Sequence, residues 1–66
     1  MSVQGPADEL NEERRKEIFR ALVEAEDYHE MARPQARHLI ANRFKITESQ
    51  VREIERQGME NVWPPL

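Results

Sequence analysis

The sequence predicts an all-α fold, a small three-helix bundle containing a helix-turn-helix, on three observations. Apolar residues recur at helical spacing in two separate stretches, around Ile18–Val23 and Ala36–Phe44. A T-x-x-Q capping box, Thr47 to Gln50, restarts a helix a few residues after Phe44. Proline and glycine fall either in the N-terminal tail or where a helix would begin or end.

Residues 1–10 are expected as a flexible tail and residues 11–66 as the helical domain. The stretch to Glu9 holds Gly5 and Pro6 among small and polar residues, with too little apolar surface to offset the entropy of ordering it. Asn11 suits an N-cap, because its side-chain oxygen can accept a first-turn amide, and Glu12 and Glu13 then face the positive end of the helix dipole. Ile18, Phe19, Leu22 and Val23, with Ala25 alongside, form the buried stripe of this first helix, leaving Arg14, Arg15, Lys16, Glu17, Arg20 and Glu24 mostly in water.

Pro34 lacks an amide and so fits the first turn of the second helix, whose inward face reads as Ala36, Leu39, Ile40 and Phe44. The third helix, opened by Thr47, carries Val51 and Ile54 inward. Gly58 predicts its end, as a left-handed glycine after the last turn, with Met59 folding against Ile54. Trp63 precedes Pro64 and Pro65, which cannot extend a helix, so its indole is expected to fold back beneath the core.

With 66 residues the chain makes one domain and buries only about 60% of the surface its unfolded form exposes. It has no cysteine, which rules out disulfides and thiolate metal sites and fits a reducing compartment, the cytoplasm being the expected one. No stretch approaches the roughly 18 apolar residues of a membrane span, and the polar N-terminus does not read as an export signal. His29, His38 and Glu30 fall in different elements without a third ligand, so neither a metal nor a cofactor is expected. Nothing supplies a nucleophile, a base and an oxyanion hole together, so the chain does not read as an enzyme.

The net charge of −3 is unevenly placed. Residues 1–34 hold nine acidic side chains against five basic ones, whereas residues 35–56 hold Arg37, Arg43, Lys45, Arg52 and Arg56 against Glu48, Glu53 and Glu55. The basic half is the one with helix-turn-helix spacing. In a twenty-residue window from Arg37, Ile40, Ala41, Phe44, Ile46, Val51 and Ile54 each carry the residue type that two short helices crossing over a tight turn require. Lys45 stands at the turn position usually taken by glycine, where a left-handed conformation costs about 1 kcal/mol.

Helix-turn-helix chemistry then assigns roles by residue type. Thr47, Ser49, Gln50 and Arg52, at the front of the third helix, are the expected base-facing residues, since Gln50 and Arg52 can make bidentate contacts to adenine and guanine edges. Arg37, Arg43, Lys45 and Arg56 are the expected phosphate contacts on double-stranded DNA. One copy would bind weakly, which implies a homodimer or attachment to a larger protein partner. A second reading keeps the fold but makes it a protein–protein adaptor, docking through the acidic first helix or the Met59, Val62 and Trp63 edge.

The run from Phe44 to Glu55 resembles the last DNA-binding helix-turn-helix of bacterial sigma factors, with its F-x-[VI]-T-x-x-x-[VI]-R-x-I-E pattern. Phe44, Ile46, Thr47, Val51, Arg52, Ile54 and Glu55 match, and the likeness covers roughly residues 35–57. Ser49 and Gln50 depart from the acidic and basic residues common there. The resemblance implies a transcription-associated DNA-binding domain with the third helix as its recognition element. The Trp-Pro-Pro-Leu ending also resembles that of short bacterial proteins, which adds no biochemical role.

Overall fold

A computed structural model describes residues 10–66 and resolves them into three helices: α1 Glu12–Tyr28, α2 Arg33–Phe44 and α3 Glu48–Asn61. The tail expectation lies outside the described residues as far as Glu9. Each helix packs on the other two, so the apolar faces close around one core. Among the described residues no helix is long and apolar enough to cross a membrane.

The cap of α1 forms as its sequence dictates, with the Asn11 side-chain oxygen accepting the Arg14 amide at 2.8 Å. Leu10, just ahead of that cap, is also buried and belongs to the core. An apolar residue in this position fixes the angle at which the chain enters the helix. Ile18, Phe19, Leu22 and Ala25 are buried along α1, facing Ala36, Ile40 and Ala41 of α2 and Val51 and Ile54 of α3. Trp63 closes the base of this core, its ring meeting Phe19 edge-on at 6.1 Å.

Three features of the core differ from the sequence reading. Leu10, expected within the tail of residues 1–10, is buried instead, because it sits in an apolar recess beside Ile54. Leu39 is exposed rather than inward. At 3.6 residues per turn the face holding Ala36, Ile40 and Phe44 is centred roughly 100° away from Leu39, and Arg37 completes that face with a half-buried stem. Gly58 does not end α3. It sits inside the helix, fully buried, because the Phe19 ring lies where a side chain would begin: a Cβ at this position would fall 2.3 Å from Phe19 Cδ1 and Cε1. The absent side chain serves tertiary contact, not chain reversal, and Met59 accordingly points outward, half exposed, instead of packing on Ile54.

α3 ends one turn later. Val62 takes the left-handed conformation (φ 51°), its amide donating to the Gly58 carbonyl, and the Trp63 amide donates to the same oxygen at 2.9 Å. A β-branched residue is poorly suited to this conformation. Val62 is largely exposed and anchors nothing in the core. Val62→Gly is therefore expected to stabilise the domain by about 1 kcal/mol, read as a rise of roughly 4–8 °C in the thermal unfolding midpoint.

Candidate nucleic-acid interface

The corner between α2 and α3 is built by three residues with distinct jobs. Lys45 adopts the left-handed conformation (φ 60°, ψ 45°) and donates its amide to the Ala41 carbonyl, ending α2. The Ile46 amide reaches the same carbonyl at 3.0 Å. Ala41 itself is buried at this junction, where a larger side chain would push the helices apart. Thr47 then opens α3 through the full capping box. Its hydroxyl oxygen accepts the Gln50 amide at 3.0 Å, and the Gln50 side-chain oxygen accepts the Thr47 amide at 2.8 Å. A further bridge spans the corner, His38 Nδ1 to Glu48 Oε2 at 2.8 Å, with Asn42 against the other ring nitrogen at 3.3 Å. That arrangement suits a proton on Nδ1, donated to Glu48, and a lone pair on Nε2.

The eight residues assigned to DNA by sequence divide into two groups. Arg43, Lys45, Ser49 and Arg52 are exposed, and the three cations among them have no ion-pair partner among the described residues. Arg43 rests its guanidinium 5.5 Å from the Phe44 ring, which holds the side chain near the end of α2 without cancelling its charge. They lie on the last turn of α2, the corner and the first turns of α3.

The other four are engaged within the fold. Thr47 and Gln50 commit their oxygens to the cap. Arg37 donates to Glu55 at 3.1 Å in the most sheltered ion pair of the described residues, and Arg56 is clasped by Glu53 and Glu60. Bonding to Arg56 holds the Glu53 carboxyl below the usual carboxylate range, and the same two acids push the Arg56 guanidinium further toward its charged form. Their charges are therefore already matched locally, which lowers what each would gain from a phosphate.

Sequence reasoning passed over Arg33. Arg33, Arg37, Arg52 and Arg56 line one open groove between α2 and α3, together with Glu55 and Met59. The signal was present as two i, i+4 arginine pairs, one on each helix. Beside this groove, burial raises the Glu26 carboxyl above its ordinary value and the nearby Glu55 charge adds to the effect, while Arg33 and Arg37 pull the other way. One Glu26 oxygen is buried with no hydrogen-bond partner. Among the described residues no group of three His, Cys, Asp or Glu side chains is placed to hold a metal ion.

No family model, curated protein or solved structure matches the chain.

Proposed function

We propose that the α2–corner–α3 unit is a helix-turn-helix that docks on double-stranded DNA, with α3 as the element presented to the groove, in a transcription-associated role. The observation that carries this reading is the corner: a left-handed Lys45 bonded back to Ala41, followed at once by the capped start of α3, with Arg43, Lys45, Ser49 and Arg52 left exposed around it. The likeness of Phe44–Glu55 to the sigma-factor motif supports the same reading. Three uncompensated cations, Arg43 and Lys45 at phosphates and Arg52 at a base edge, displace about three counterions at most, so a single copy binds weakly and relies on a second copy or a larger assembly for affinity.

Titration of a labelled mixed-sequence duplex at two salt concentrations tests this. Affinity is expected to fall with salt with a log–log slope of about −3, and Arg43→Ala with Arg52→Ala to reduce that slope to about −1. Binding that is absent at low salt, or indifferent to these two substitutions, overturns the proposal.

A specific observation favours a second reading, the adaptor. α3 carries Glu48, Glu53, Glu55 and Glu60 against Arg52 and Arg56, an unfavourable balance for a helix lying against phosphates. In that reading the acidic α1 or the exposed Met59 and Val62 beside the buried Trp63 meets protein and DNA is not touched, and the duplex titration separates the two.

A further inference from the structure

The groove lined by Arg33, Arg37, Arg52 and Arg56 is only partly neutralised from within. Arg37 and Arg56 have carboxylate partners, but Arg33 and Arg52 have no ion pair among the described residues. Arg33 is also misplaced for its own helix. It is the first residue of α2, at the positive end of the dipole, and no acidic residue stands in that turn.

The end of α1 shows the converse misplacement. Its last turn has no basic residue, and the acids there lie at the negative end of the dipole. Glu24 is matched by Arg20, but Asp27 and Glu30 have no ion pair among the described residues. Tyr28 stands between them with 79% of its surface in solvent, while Met59 in the arginine groove is 50% exposed. Each patch thus sets charge against its own helix dipole, and, with Glu55 and Glu60 of the groove already held by Arg37 and Arg56, each keeps unpaired charges that the other would match.

The two patches adjoin. Asp27, Arg33, Glu55 and Met59 line one cleft that joins the acidic end of α1 to the arginine groove. When neighbouring patches on one molecule are complementary, a two-fold axis beside their boundary sets each against its counterpart on a second copy, and the contact closes without forming a chain of molecules. We propose that this protein forms a two-fold dimer in which Arg33 and Arg52 of each copy receive Asp27 and Glu30 of the other, with Tyr28 laid against Met59 and the arginines. The tyrosine ring offers its face to a guanidinium and its edge to the thioether. This goes beyond the DNA reading: Arg43, Lys45 and Ser49 stay outside the contact, whereas Arg52 serves in both, so duplex and second copy compete for that one side chain and the dimer is tested without duplex.

Sedimentation equilibrium of the full chain over a concentration series tests the dimer. At low salt the average mass is expected to climb from 7.8 kDa toward twice that value, and to fall back at about 0.5 M salt, where charges are screened within roughly 4 Å. The variant carrying Arg33→Glu and Arg52→Glu, and the variant carrying Asp27→Arg and Glu30→Arg, are each expected to stay monomeric while keeping the helical circular dichroism of the parent. Mixed together they are expected to regain the dimer mass, because the reversed charges again oppose one another. A parent monomeric throughout the series at low salt, a dimer that survives both reversals, or folded variants that fail to associate on mixing would each overturn the proposal. If a reversal unfolds the chain, Arg52→Ala and Asp27→Asn carry the same test, read as an association weakened at least about threefold.

Discussion

Gly58→Ala is expected to destabilise the domain by about 1–3 kcal/mol, although alanine in place of a mid-helix glycine ordinarily stabilises by about 1 kcal/mol. The sign is set by the Phe19 ring, two of whose carbons lie 2.3 Å from where the new Cβ would be. No atom pair tolerates that approach, so either the ring turns within a filled core or α3 moves away from α1. Phe19 is almost wholly buried and held edge-on by Trp63, which leaves it little room to turn. Thermal unfolding should show a midpoint lowered by roughly 4–8 °C per kcal/mol lost, while Met59→Ala, one position along on the exposed side, should change stability by less than about 0.5 kcal/mol. An unchanged or raised midpoint for Gly58→Ala would mean that α1 and α3 do not meet so closely.

Phe19→Ala is expected to have the largest effect of any single substitution, about 3–5 kcal/mol. The ring is among the largest wholly buried side chains and touches both Trp63 and the backbone of α3 at Gly58. A domain of this length has a total stability of roughly 3–10 kcal/mol, so the loss is comparable with the whole. The variant should show little cooperative unfolding and should lose the near-ultraviolet dichroism of Trp63. The two substitutions should also be coupled. Phe19→Leu, which shortens the ring, should make Gly58→Ala less costly than it is in the parent, giving a double variant more stable than the sum of its parts by about 0.5–3 kcal/mol. Strict additivity would place the clash elsewhere.

Much of the fold was legible in the sequence because the signals were local. Asn11 and Thr47 cap through atoms within three residues of themselves, and Ile18, Phe19 and Leu22 reveal a buried face by spacing alone. Ala41 at the corner and Trp63 beneath the core were readable for the same reason: the type of one residue and its immediate neighbours define the role.

What was not legible depends on residues far apart in the chain. A glycine near the end of a helix reads as a stop, and only the arrival of Phe19, some forty residues earlier, makes Gly58 a contact point instead. Leu39 looked inward because it is apolar, yet the rotation of α2 is fixed by Ala36, Ile40 and Ala41 against two other helices. The candidate site suffered most from this. Residue type marked Arg37 and Arg56 as free cations, but whether an arginine is free depends on which acids reach it, and Glu55 reaches Arg37 from another helix. Arg33 was overlooked because its significance lies in the arginines of α3 across the groove, which adjacency in sequence does not reveal.

Leu10 stands outside every helix, yet it is only 9% exposed and shares a recess with Ile54 of α3. Anyone trimming the chain to its smallest autonomous unit should therefore cut ahead of this leucine. A fragment beginning at the Asn11 cap would keep all three helices intact and still leave a gap in the side of the interior, opening Ile54 to water.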